Sequence, residues 1–285
     1  MNESTSPMML RRRLRNELRD ARLKANLSQE QVAKAMVWSL SKMIRIETAK
    51  TGISVNDLKA LLALYGITER TDELVALAKA AKQPPWWRRY SEVASPSLLE
   101  LIDYESSASA INQFETIFVP GILQTEEYAS AVLRVFYEEY SDDERVAALV
   151  ELRTRRGDLL RSENAPKFSF ALDEGVIRRR VGSPAIMARQ LERLADAAEL
   201  QGVTIQVVPF TAGLHPGMKG PFEVMQFDDS PDEDVVYLEG RRGDPFSDDP
   251  KETKGYLEAF ERVTETALDP SESVRRLREA AAEMA

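Results

Sequence analysis

The stretch Ser28–Glu47, SQEQVAKAMVWSLSKMIRIE, leaves its backbone little choice. Ser28 is a natural helix N-cap, and Gln31 stands three residues on in capping-box position. A short helix to about Met36 follows, with Val32, Ala33 and Met36 as its apolar face. Ser39 is a second N-cap and opens a helix from Leu40 to about Thr48. Met43 and Ile46 turn one face of it inward, while Ser41, Lys42 and Arg45 fall on the other. Two short helices joined by a turn at Val37–Trp38 cannot bury their stripes alone, so neighbouring helices must cover them.

Those neighbours are legible on both sides. Leu10–Asn26 carries Leu14, Leu18, Ala21/Arg22, Leu23 and Leu27 at three-to-four spacing. Val55–Tyr65 is stopped by Gly66, and Asp72–Lys82 by Pro84–Pro85. Five short helices are therefore expected before a boundary in KQPPWWRRYSEVASPS. The predicted organisation is a helical domain over 1–83, a connecting segment over 84–97 and a second domain over 98–285.

The second domain mixes patterns. Helices are expected over Leu98–Ala110, from Thr125, over Asp142–Ser162, from Ser183 through Leu200, over Pro250–Leu268 and over Pro270–Met284. KFSFALDE, VTIQVVPF, GPFEVMQF and EDVVYLEG read as strands. The expected fold class is mainly α with a smaller β component, the C-terminal part being α+β with a small sheet.

Charge divides the chain at the same place. Up to Tyr90 there are 17 Lys/Arg against 9 Asp/Glu, a balance of +8; from Ser91 the counts are 21 and 38, a balance of -17. Such asymmetry fits a nucleic-acid-binding segment joined to an acidic body, and equally ordinary solvated faces. With no cysteine, disulfides and thiolate metal sites are excluded. No apolar run approaches the roughly 18 residues of a membrane span, and the N-terminus lacks a secretory pattern, so a cytoplasmic protein is expected. His215 is the only histidine, no nucleophile-elbow motif is present, and GMKG lacks phosphate-loop spacing. No enzyme activity, catalytic residue, metal or cofactor is predicted.

LSQEQVAKAM…SLSKMIRIE resembles the phage-repressor-type (XRE) helix-turn-helix regulators. That resemblance implies that the second motif helix enters the major groove of double-stranded DNA. Ser39, Leu40, Ser41, Lys42 and Arg45 become candidate contacts: Lys42 or Arg45 for guanine edges, Leu40 for a thymine methyl. Ser28 and Gln29 would hold phosphate, with Arg11, Arg12, Arg13 and Lys50 adding salt-sensitive backbone contacts. Glu47 is read as structural. The chain departs from the family pattern at Val37, where glycine is usual, at the large Trp38, and at apolar Ile44.

VPGILQTEEYA, RTRRGDLL, FALDEGVIRRRVG, QLERLADAAE, VTIQVVPFTAGLHPGMKGPFEVMQF and VVYLEG together resemble the large C-terminal domain of an actinobacterial regulator family, antitoxin-like and WhiJ-like members included. The resemblance implies regulation beside a small acidic partner protein encoded nearby. A homodimer on a palindromic operator, nucleoid-associated when on DNA, is expected because two-fold proteins match two-fold sites. Gly121, Gln124, His215 and Lys219 are candidate ligand or partner contacts. Three readings stay open at this point: a DNA-binding transcriptional regulator, an antitoxin-like protein that sequesters a small partner, and a small-molecule sensor.

Overall fold

The structure, a computed structural model, describes residues 7–48, 51–136, 143–228, 234–239 and 246–284. Arg12 has a described backbone but no described side chain, and Lys50 lies outside the described residues. The chain divides into two compact units between Arg88 and Arg89.

The first unit holds five helices: α1 (Pro7–Lys24), α2 (Gln29–Ala35), α3 (Leu40–Glu47), α4 (Val55–Leu64) and α5 (Thr71–Ala80). Their inward stripes meet in one core of Leu14, Leu18, Val32, Met43, Ile46, Leu58, Leu61, Leu62 and Leu74. The capping box expected at Ser28 is present: Gln31 N donates to Ser28 Oγ (3.1 Å) and Ser28 N donates to Gln31 Oε1 (2.7 Å). Ser39 caps α3 by accepting from Lys42 N at 3.1 Å.

Three of these helices stop in the same way. After α1, α2 and α4 the chain turns through a left-handed residue: Asn26 (φ 53°), Val37 (φ 55°) and Gly66 (φ 74°). In each case two amides return to the helix's orphan carbonyls. Val37 N donates to Lys34 O (3.2 Å) and Trp38 N to Ala33 O (2.8 Å); Gly66 N donates to Ala63 O (3.1 Å) and Ile67 N to Leu62 O (2.9 Å). The turn between α2 and α3 thus takes the backbone form that glycine favours, with valine in place.

The second unit is built on a six-stranded mixed sheet of order β3-β2-β1-β4-β5-β6. Its strands are β1 (Ala110–Glu115), β2 (Lys167–Asp173), β3 (Val203–Val208), β4 (Phe222–Gln226), β5 (Val235–Tyr237) and β6 (Phe246–Ser247). β1, β2 and β3 run parallel; β4 joins β1 antiparallel, and β5 and β6 continue antiparallel. The helices are α6 (Pro96–Glu105), α7 (Glu126–Phe136), α8 (Asp143–Arg156), α9 (Glu174–Arg178), α10 (Pro184–Ala197), α11 (Pro250–Thr264) and α12 (Pro270–Met284). α10 and α12 cover one face, packing Met187, Leu191 and Leu277 on Phe168, Phe170, Ile205 and Met225. α11 covers the other, with Phe260 and Val263 against Phe114, Phe222, Val224 and Val236.

One expectation is overturned here. The helix predicted to reach Ala110 ends at Glu105, and Ala110–Glu115 is a strand in the interior of the sheet. Its sequence, AINQFE, puts Gln113 and Glu115 on a buried face, so the apolar pattern that marks a central strand is missing. β6 and α9 were also not predicted; both are shorter than the windows over which periodicity can be read.

Candidate nucleic-acid interface

Helix α3 presents two faces. Met43, Ile46 and Glu47 are buried, and Leu40, Ser41, Lys42, Ile44, Arg45 and Thr48 are exposed. Its orientation is set by a buried ion pair. Arg22 on α1 donates to Glu47 twice, Nε to Oε1 at 2.7 Å and Nη2 to Oε2 at 3.1 Å, and its Nη1 reaches Leu27 O at 2.8 Å. Gln29 Nε2 on α2 donates to the same carboxylate at 2.6 Å. One carboxylate therefore ties α1, α2 and α3 together. The fork-to-carboxylate geometry raises the Arg22 pKa above its ordinary value against the opposing effect of burial. Tyr65, with a buried hydroxyl, is pushed up by burial and then by the Glu47 charge.

The residues predicted to touch DNA fall into distinct settings. Gln29 is engaged by Glu47, and the Ser28 and Ser39 hydroxyls cap their own helices. Lys42 leans off the outward face: its Nζ pairs with Asp57 on α4 at 3.0 Å and sits 4.1 Å above the Trp38 ring centroid. Arg11 Nε donates to Ala81 O at the end of α5 (3.2 Å), and Arg13 pairs with Glu73 at the loose distance of 3.9 Å. Leu40, Ser41 and Arg45 stay on the outward face, and among the described residues the Arg45 guanidinium has no hydrogen-bond or ion-pair partner. Ile44 joins them there; the sequence marked it as a departure from the family pattern but gave it no contact.

The C-terminal candidates divide in two. Gln124 bridges Val119 O (2.8 Å, from Nε2) and Arg153 Nη1 (3.1 Å, to Oε1). Gly121 lies so close to the Arg156 guanidinium that a Cβ there would meet Nη1 at 3.0 Å. His215 stands edge-on to Phe114, ring centroids 5.6 Å apart, and Lys219 lies on the same exposed loop. Phe114 faces the α11 side of the sheet. The structure brings Gly121 and Gln124 to α8 and leaves His215 and Lys219 on the other face.

Beside Gly121 lies a buried polar group that sequence reasoning missed. Arg156 donates to Glu105 through Nε (3.0 Å) and Nη2 (2.5 Å), both side chains almost wholly buried. On the facing sheet, Glu223 of β4 pairs in register with Gln113 of β1 and Tyr237 of β5. Glu115 accepts from Gln113 Nε2 at 2.9 Å. Burial, reinforced by the charge of Glu239, pushes the Glu115 carboxyl up to about 8. Burial and then the Glu105 charge raise Glu223 well above the carboxylate range, and its Oε1 is buried without a hydrogen-bond partner. The one signal in the sequence was Glu223 within the apolar run GPFEVMQF. Among the described residues no group of three or more metal-ligating side chains is placed to hold a metal ion.

Comparison with known families places both units. Residues 98–279 match a family model described as a domain of unknown function (DUF5753). The chain belongs to this family. Residues 13–77 match a family model described as a helix-turn-helix domain, so this DUF5753 protein carries a module of the DNA-binding, regulatory kind. No curated protein and no solved structure matches the chain. No helix among the described residues is long and apolar enough to cross a membrane.

Proposed function

We propose that this protein is a sequence-specific transcriptional regulator. Its N-terminal domain, 1–83, reads double-stranded DNA; its C-terminal domain, 98–285, mediates homodimerisation and answers to a partner or effector. The observation that carries the reading is the outward face of α3. Leu40, Ser41, Ile44 and Arg45 project together from a helix whose other face is locked by Met43, Ile46 and the Arg22–Glu47 pair. The +8 balance up to Tyr90 supplies phosphate affinity, and the acidic remainder confines contact to that end. A two-fold protein matches a palindromic site, so two α3 helices would occupy half-sites one helical turn apart.

The test is binding of the full-length protein to a labelled fragment of its own upstream region, over a salt series and against scrambled DNA. Tight sequence-dependent binding, falling steeply with salt and relaxed at one base pair by Arg45→Ala, is expected. Binding no tighter than to scrambled DNA, or unchanged by Arg45→Ala, would overturn the assignment of α3.

A second reading, sequestration of a small acidic protein, is favoured by one feature. The loop between β3 and β4 exposes Phe210 (63%), Leu214 (92%) and Met218 (60%) beside Lys219, with no acidic residue from Pro209 to Pro221. Stoichiometric co-purification of a small protein, lost on Leu214→Asp, would move the emphasis from DNA to that partner.

A further inference from the structure

We propose that Leu40 and Ile44 form one apolar ridge that selects thymine in each half-site, and that Lys42 reads no base. The inference rests on the DNA-binding reading of α3 and names what that helix selects. Leu40 and Ile44 are one turn apart on α3 and are 39% and 40% exposed. They flank the ridge of Ser41 and Arg45, which occupies the centre of the outward face. The protein leaves both partly open: the core of this unit takes Met43 and Ile46 from α3, while Leu40 and Ile44 stay about two-fifths exposed. Two large apolar side chains, adjacent on one flank of a polar, basic face and each about two-fifths exposed, favour an apolar counterpart on what binds there.

In the major groove the apolar group is the thymine 5-methyl; every other base edge there offers donors and acceptors. Residues four apart on a helix are about 6 Å apart along its axis, and base pairs rise about 3.4 Å. The ridge therefore spans two thymines one or two steps apart. The flank bearing Lys42 behaves differently. Asp57 and the Trp38 ring hold its ammonium against α4. Moving it to a guanine edge would leave Asp57 without its cation beside phosphate, so Lys42 serves as a brace that neutralises Asp57. Arg45, with no partner among the described residues, is the cation available for a base.

The experiment starts from duplexes enriched by the full-length protein out of a random 30-base-pair library. An enriched duplex is then remade with uracil replacing thymine at one position at a time, which removes only the methyl. Each contacted methyl is expected to be worth roughly a three- to fivefold change in Kd, the transfer free energy of about one methylene. Two positions per half-site should respond. Ile44→Ala should lose affinity by a similar factor and no longer respond at one of them, and Leu40→Ala should be silent at the other. Ile44→Val, which keeps an apolar branch, should retain part of the response. Lys42→Ala should leave base preference unchanged at every position. Tight binding with no uracil response, or an Ile44→Ala protein as uracil-sensitive as the parent, would overturn the ridge while leaving DNA binding intact. Failure to enrich any duplex would overturn the DNA-binding reading itself. A loss of dimer on Ile44→Ala, seen by light scattering without any change in uracil response, would assign the ridge to a second copy instead.

Discussion

Replacing Val37 with glycine should make the N-terminal unit more stable, although valine is the larger apolar residue. Val37 sits at φ 55°, a left-handed conformation, and is 92% exposed. A left-handed backbone costs an L-residue with a Cβ about 1–2 kcal/mol. Glycine removes that cost but adds freedom to the unfolded chain, worth about 0.4–1 kcal/mol in the opposite direction. Almost no apolar burial is lost, because so little of the side chain is covered. The net expectation is a gain of about 0.5–1 kcal/mol, or a rise of about 2–8 °C in the midpoint of a unit of this size. The two amides that close the turn, Val37 N to Lys34 O and Trp38 N to Ala33 O, are backbone groups and survive the change. Calorimetry of the full chain should show the N-terminal transition moving up and the other staying in place. Gly66→Val, at the matching turn after α4, should lower the same transition by a similar amount. A lower midpoint for Val37→Gly would refute the reasoning, because it would mean that the valine side chain packs on something the exposed geometry does not contain.

Three further outcomes follow from the buried groups. Arg22→Ala should cost about 3–5 kcal/mol by stranding Glu47, while Arg22→Met with Glu47→Leu should recover most of it in urea denaturation. Glu115, at about 8 in the folded state against an ordinary 4.5, keeps its proton in the fold where the unfolded chain has lost it. Stability should therefore be fullest below about pH 4.5 for this group and fall as pH rises through 8. Glu115→Gln should reduce that slope and Glu115→Gln/Glu223→Gln flatten it further, read from urea midpoints between pH 5 and 9; an unchanged slope would remove Glu115 as its source. Gly217→Ala places a Cβ 2.3 Å from the Phe114 ring and should cost about 1–3 kcal/mol, lowering the thermal midpoint of the C-terminal unit alone.

The N-terminal unit was legible because its information is local. Ser28, Gln31 and Ser39 mark helix starts by side-chain-to-backbone bonds within three residues, and the stripes through Leu14–Leu18 and Met43–Ile46 repeat within one helix. The sequence also exposed the conflict at Val37, and the turn adopts the costly angle because two return hydrogen bonds hold it. What the sequence could not assign was the use of each polar side chain. Gln29 and Lys42 are expected DNA contacts in a linear reading; in the fold they also bond Glu47 and Asp57, 18 and 15 residues away, which no local pattern announces. The C-terminal unit shows the same division. β2, β3 and β4 announce themselves by apolar runs. β1 does not, because Gln113 and Glu115 interrupt its pattern, Gln113 lying opposite Glu223, 110 residues away in the chain, across a register that only the assembled sheet creates. Local spacing determined where helices begin and which faces are apolar. Tertiary contact decided which polar groups pair within the protein and which, such as Arg45, remain available to a ligand, because a group's partners are set by what the fold brings within hydrogen-bond reach.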